Sequence, residues 1–153
     1  MNRLESLRRL LAESTDPDNP PPERVKRLFE TMHRVAVIGL SRDPKKTARR
    51  VPSYLAAQGY EIVPINPFAD RLLGRQAHPD LAHVEDPLDL VVIFRPSQEA
   101  GVFLAEAAAR PGHPAIWLQE GIRADEEATA ARHAGRMVVQ DLCTYRVHRA
   151  LFT

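Results

Sequence analysis

The segment Arg34 to Leu40, RVAVIGL, constrains the fold more than any other stretch of the chain. It is a continuous β-branched and apolar run, the pattern of a strand covered on both faces, as parallel strands are. A polar loop, Ser41 to Thr47, follows it. Ala48 to Gln58 then carries Val51, Tyr54 and Leu55 at helical spacing, and Gly59 stands where a left-handed helix terminator would. A second strand, Tyr60 to Ile65, begins at once. Strand, helix and strand joined by short connections predict a right-handed parallel crossover.

The alternation continues downstream. Leu88 to Phe94 reads as a buried strand, Ser97 as the cap of a helix running to Arg110, Ala115 to Leu118 as a strand, Asp125 to Ala134 as a helix and Met137 to Gln140 as a last strand. Between Asn66 and Pro87 the pattern weakens around Gly74 and its neighbouring prolines. Only a short strand near Arg75 to Ala77 and a helical turn near Asp80 are expected there. Upstream, Leu4, Leu7, Leu10 and Leu11 recur at helical spacing until the break Asp16 to Pro22, DPDNPPP. Pro22 suits a first helical turn, and Val25, Leu28, Phe29 and Met32 give the second helix one apolar face. The expected fold is α/β: a Rossmann-like, doubly wound parallel sheet of about five strands, with extra N-terminal helices. Residues 1–33 are expected to form those helices and residues 34–153 the sheet domain, one domain in all, since 153 residues bury a full core unaided.

Composition excludes several classes. No apolar run approaches the roughly 20 residues of a spanning helix, and Arg3, Glu5, Arg8 and Arg9 interrupt the leading segment, so a cytoplasmic protein without a membrane partner is expected. The single cysteine, Cys143, agrees with a reducing compartment. A formal net charge of +1 argues against a nucleic-acid partner. Local charge is more telling: Lys45, Lys46, Arg49 and Arg50 lie within six positions and include two of the three lysines.

In open α/β sheets, ligands sit outside the carboxyl ends of the strands. The loops in question are Gly39 to Thr47, Asn66 to Ala69, Arg95 to Ser97, Gln119 to Arg123 and Asp141 to Thr144. The first of them has one glycine at a strand end, then hydroxyl and cationic groups leading into a helix N-terminus, an arrangement suited to phosphate. A solvated connection whose charges only face water is the alternative. Neither G-x-G-x-x-G nor G-x-x-x-x-G-K-[ST] is present. The second strand ends in Asn66-Pro67, without the carboxylate that receives a ribose hydroxyl in NAD-binding domains, so the basic cluster suits a phosphorylated ribose better. The 2′-phosphate of NADP and the 3′-phosphate of coenzyme A both answer that description. His33, His78, His83, His113, His133 and His148 show no metal-site spacing. Asp125, Glu126 and Glu127 suit a helix dipole, Cys143 suits packing, and no catalytic residue is assigned.

Five segments carry a family resemblance: VAVIGLSRDPKKTARRV, YLAAQGYEIVPINP, FRPS, IWLQEGI and DLC. Over Val35 to Leu151 the chain resembles the CoA-binding domain proteins related to the N-terminal domain of the succinyl-CoA synthetase α subunit. The resemblance implies that Gly39, Leu40, Ser41, Arg42 and the following loop, with Lys45, Lys46 and Arg49, hold the phosphates of coenzyme A. It implies that Asn66 and Pro67 lie beside the adenosine, and that Arg95, Pro96 and Ser97, with Gln119 and Glu120, border the pantetheine channel. Where the synthetases place a lysine shortly after the proline corresponding to Pro67, this chain has Phe68 and Ala69, so Lys45 or Lys46 is expected to supply that charge. The synthetases' N-C-P turn appears as Leu142-Cys143-Thr144, and their phosphorylated histidine lies in a domain beyond the match. The expected function is therefore binding of coenzyme A or an acyl-CoA without ligase activity, any protein partner being open. An NADP-type oxidoreductase, a CoA-dependent transferase acting with a partner, and a protein-binding relic of the fold are the alternatives.

Overall fold

The alternating side chains of the buried strands sort the molecule into three layers. The structure is a computed structural model that describes residues 2–153. Its strands β1 (Arg34–Ile38), β2 (Glu61–Ile65), β5 (Leu90–Ile93), β6 (Ala115–Leu118) and β7 (Val138–Val139) form one sheet in the order β2-β1-β5-β6-β7. Every pairing is parallel, with Val35 opposite both Ile62 and Leu90. Because successive strand residues point to opposite faces, Val35, Val37, Leu90, Val92 and Trp117 enter one core. Ala36, Ile38, Val91, Ile93, Ile116 and Leu118 enter the other. The doubly wound sheet expected from the sequence is present.

Helices cover both faces. The first core is closed by α1 (Arg3–Glu13), α2 (Pro22–Thr31), α3 (Thr47–Ala57) and α6 (Thr144–Phe152), through Leu7, Val25, Phe29, Leu55, Val147 and Leu151. The second is closed by α4 (Ser97–Ala109) and α5 (Asp125–His133), whose Ala100, Leu104, Ala107, Ala128 and Ala131 are buried. α4 and α5 approach so closely that a Cβ on Gly101 would lie 2.5 Å from the Glu127 carboxylate. The leading helices share the core of the sheet.

Several details differ from the sequence reading. β1 stops at Ile38 rather than Leu40, because Gly39 takes a φ of +86° and turns the chain. A hairpin of β3 (Arg71–Leu72) and β4 (Arg75–Gln76) turns through Leu73 and Gly74, both at positive φ, where only one short strand is expected. The helical turn near Asp80 is a 3₁₀ turn, Leu81–His83, whose His83 N–H is accepted by the Asp80 carboxylate at 3.0 Å. Pro96, not Ser97, occupies the N-cap of α4, and Ser97 Oγ accepts the Arg123 N–H instead. Helix α6 goes unanticipated, although Val147 and Leu151 stand at helical spacing on its buried side.

The segment between α1 and α2 braces the far edge of the sheet. Asn19 donates from Nδ2 to the Gln140 carbonyl at 3.0 Å and accepts the Gln140 N–H on Oδ1 at 2.8 Å. Its side-chain amide thus stands in for a further strand beside β7. Asp16 is buried and accepts from Gln140 Nε2 at 2.9 Å and from Arg132 at 3.0 Å. Thr15 donates its N–H and hydroxyl to Asp141, whose other oxygen accepts the Gly121 N–H. Burial would raise the Asp16 carboxyl, but hydrogen bonds from Gln140, the Asp18 N–H and Arg132, with the Arg132 charge, hold it below the usual carboxylate range.

A depressed native value contributes stability that is present above the unfolded value of about 3.9 and is lost as pH falls through the native one. Thermal melts of the wild type should therefore lose stability more steeply below about pH 4 than melts of Asp16→Asn, which lacks the titrating group. Near neutral pH, Asp16→Ala should cost about 1–3 kcal/mol, because it leaves the Gln140 amide and Arg132 short of an acceptor. Parallel acid titration curves for the two proteins would refute the brace's electrostatic role.

Candidate functional site

Strand order reverses between β1, which turns back to β2 on one side, and its other neighbour β5. The carboxyl ends of these three strands lie around a cavity of about 420 Å³. Gly39 forms its floor. A Cβ at that position would sit 2.6 Å from the Phe94 carbonyl oxygen, and the φ of +86° disfavours any side chain. The absence of a side chain lets β1 and β5 close up at their ends and leaves the opening above them.

The loop after Gly39 is ordered by its own polar groups. Ser41 Oγ accepts the Asp43 N–H at 3.0 Å, Asp43 Oδ1 accepts the Lys45 N–H at 3.0 Å, and the Lys46 N–H reaches the Asp43 carbonyl. Asp43 therefore folds the loop, and its carboxylate is directed to the backbone. The Ser41 N–H is held by the Ala48 carbonyl at 3.1 Å. That carbonyl is free to accept it because Pro52, four residues on inside α3, has no N–H to offer. Helix α3 begins after Lys46 with no side-chain cap and no acidic residue in its first turn. Its start carries the partial positive charge of an open helix N-terminus.

Two hydrogen bonds tie this loop to the one after β2. Asn66 Nδ2 donates to the Leu40 carbonyl at 3.0 Å, and an Arg42 guanidinium nitrogen donates to the Phe68 carbonyl at 2.7 Å. Asn66 Oδ1 in turn accepts the Phe68 N–H at 2.8 Å. From β5, Arg95 extends to the cavity and pairs with Glu99, its Nε 2.9 Å from the carboxylate.

Of the residues singled out in the sequence, Gly39, Leu40, Ser41, Lys46, Asn66, Pro67 and Arg95 line the cavity. Arg42 bridges two of its loops from the outside. Lys45 and Arg49 stand nearby on the same loop and helix, but outside the lining. Pro96 starts α4, and Ser97 is engaged with the backbone of Arg123. Gln119 and Glu120 lie farther off at the end of β6. Gln119 is buried and accepts from the Thr144 N–H and hydroxyl at 3.2 Å, while Glu120 faces Arg146 at 3.4 Å. A second opening of about 500 Å³, on the α6 side of α3, is lined by Thr47, Arg50, Tyr54, Cys143, Tyr145 and Arg146. Cys143 is buried there as the N-cap of α6.

Sequence reasoning missed the aromatic half of the first cavity. Phe68, Phe94 and Phe103 line it together with Glu99. Phe68 lies within the marked loop Asn66 to Ala69 and Phe94 adjoins the loop Arg95 to Ser97, so the signal was present. Phe103 enters from the second turn of α4, and only the packing of that helix against the sheet brings it to the opening. The site thus combines one glycine floor, an open helix start with a lysine beside it, and three phenyl rings. Such a lining offers contacts both to an anionic group and to a flat apolar one. Among the described residues no cluster of histidine, cysteine or carboxylate side chains is arranged to hold a metal ion, and no helix is long and apolar enough to cross a membrane.

Comparison with known proteins gives the family of the chain. The protein YneT of Bacillus subtilis is 35% identical over 131 residues, covering 85% of this chain and 96% of its own. The ADP-forming acetate–CoA ligase II of Archaeoglobus fulgidus is 30% identical over 98 residues, which are 63% of this chain and 15% of the ligase. A solved Thermus thermophilus structure, cell-free ID.343, superposes with a TM-score of 0.79 at 35% identity, over 85% of this chain and 98% of that one. Residues 33–149 match the family described as the CoA binding domain, and the chain belongs to that family.

Proposed function

We propose that this chain binds coenzyme A or an acyl-CoA in the cavity at the ends of β1, β2 and β5, and that by itself it does not form thioesters. The observation that carries the reading is the cavity's position and make-up: it lies where strand order reverses, and its lining includes Lys46 beside the open start of α3 together with three phenyl rings. Ser41 and the first N–H groups of α3 receive the pyrophosphate. Arg42 joins Ser41 at the pyrophosphate, while Lys45 and Lys46 receive the ribose 3′-phosphate, with Arg49 adding to the field. Asn66 and Pro67 flank the adenosine, and the pantetheine arm runs past Arg95, Pro96 and Ser97 toward Gln119 and Glu120. A plain NAD ribose is the poorer fit, since β2 leads into Asn66, whose amide is already shared between Leu40 and Phe68. Cytoplasmic residence suits the single thiol of Cys143.

Calorimetric titration should show coenzyme A binding in the micromolar range. Replacing Lys45 and Lys46 together with Ala should weaken it about tenfold or more, in line with the ~1.5–3 kcal/mol of charge-assisted hydrogen bonds. Dephospho-CoA, which lacks only the 3′-phosphate, should bind both proteins alike. Replacing Ser41 and Arg42 should weaken both ligands equally. All titrations need one salt concentration, because salt screens exposed charges over about 8 Å at physiological ionic strength. Unchanged affinity for coenzyme A in the double lysine variant would make the cluster a solvated helix edge.

Thioester formation is the second test. The ligase related to this chain is matched over only 15% of its length. Incubated with acetate or succinate, ATP and coenzyme A, the purified chain should leave all ATP and free thiol unconsumed. ATP-dependent loss of thiol in that assay overturns the binding-only reading.

A further inference from the structure

Phe68 is 85% exposed, more than any other large apolar side chain among the described residues. Its ring faces water although burial of a phenyl group is favourable. The backbone beneath it is nonetheless fixed on both sides: the Phe68 N–H is held by Asn66 Oδ1 at 2.8 Å, and its carbonyl by Arg42 at 2.7 Å. An apolar ring on a pinned loop at the rim of a cavity is presented surface. Phe94 and Phe103 line the same cavity, and Ser41 and Lys46 supply its polar, cationic side.

From this placement we infer that Phe68 is a stacking platform for the purine base of the ligand. The inference rests on the nucleotide reading of the same cavity and names the part of the ligand that the rim recognises. Both polar ends of the Asn66 amide are spent on Leu40 and Phe68, and Glu99 is paired with Arg95. The base is therefore held by its face. Stacking on an aromatic side chain needs no particular edge pattern and depends on the ring being presented at the right place. Arg42 is a positioning residue for the platform, acting through the Phe68 carbonyl.

Three ligands separate the parts: coenzyme A, adenosine 3′,5′-bisphosphate, which keeps the nucleotide, and 4′-phosphopantetheine, which lacks it. Phe68→Ala should weaken coenzyme A and the bisphosphate by about tenfold each, within the loss caused by removing an aromatic partner from a base. It should leave 4′-phosphopantetheine unchanged. Phe68→Trp supplies an optical readout, because Trp117 is fully buried and its emission is subtracted as the wild-type signal. Emission from the new indole should be quenched by coenzyme A and by the bisphosphate, and not by 4′-phosphopantetheine. Thermal melts matching the wild type verify that both variants are folded. Wild-type affinity for coenzyme A in Phe68→Ala, or equal quenching by 4′-phosphopantetheine, overturns the platform. If the wild type binds no coenzyme A, the reading of the ligand fails separately, and ATP and GTP titrated into Phe68→Trp decide the platform. Quenching by either then retains it, and silence toward both overturns it.

Discussion

The close approach of Gly39 to the carbonyl of Phe94 is the constraint around which this molecule is arranged. β1 is paired on both edges and covered on both faces, so its chain has one exit, upward from the carboxyl end. With a Cβ at residue 39, β1 and β5 would have to separate at that end by the better part of a bond length. Separation would disturb the Phe94 N–H to Ile38 carbonyl bond and the Gly39 N–H to Ile65 carbonyl bond, the last links of the ladder on either side. Sheet closure and the opening above it are thus set by one missing methyl group.

A second dependence runs from the N-terminal segment to the far edge. Edge strands expose unpaired backbone groups that recruit other chains. β7 is short, and the residue after it is satisfied by the side-chain amide of Asn19. The same segment holds Asp141, and through it Gly121, so the turns after β6 and β7 share one set of polar contacts. The indole of Trp117 adds a bond to the Leu142 carbonyl at 2.7 Å from within the core. The loop leading to Cys143 is accordingly held by the N-terminal segment on one side and by the core on the other.

Legibility in the sequence followed the physics of each element. RVAVIGL and LDLVVIF announced themselves because strands buried on both faces need no alternation, and the α/β order then implied the topology. The carboxyl-end rule led directly to Gly39, Ser41, Asn66, Pro67 and Arg95. Polar caps were harder to place: Ser97 has the chemistry of a cap, yet its hydroxyl goes to a backbone N–H 26 residues away. The hairpin at Leu73 and Gly74 has strands of two residues each, too short to show periodicity. Helix α6 was obscured by its polar composition, since His148 and Thr144 are buried among its apolar positions. His148 is satisfied by the Tyr54 hydroxyl at 2.8 Å, a contact that only the packing of α3 against α6 creates. Lys45 and Lys46 are neighbours in sequence, but only Lys46 lines the cavity, a distinction that spacing alone does not carry.

Pro52 joins two properties that usually vary independently. A proline inside a helix removes one backbone bond and costs stability, and here the carbonyl so released, at Ala48, is the one that fixes the Ser41 N–H. The flaw in α3 is therefore the anchor of the loop before it. A chain that regained an N–H at position 52 would bring the Ala48 carbonyl a second donor beside the Ser41 N–H. One carbonyl thus joins the first turn of α3 to the loop that leads into it, and the proline leaves that carbonyl to the loop.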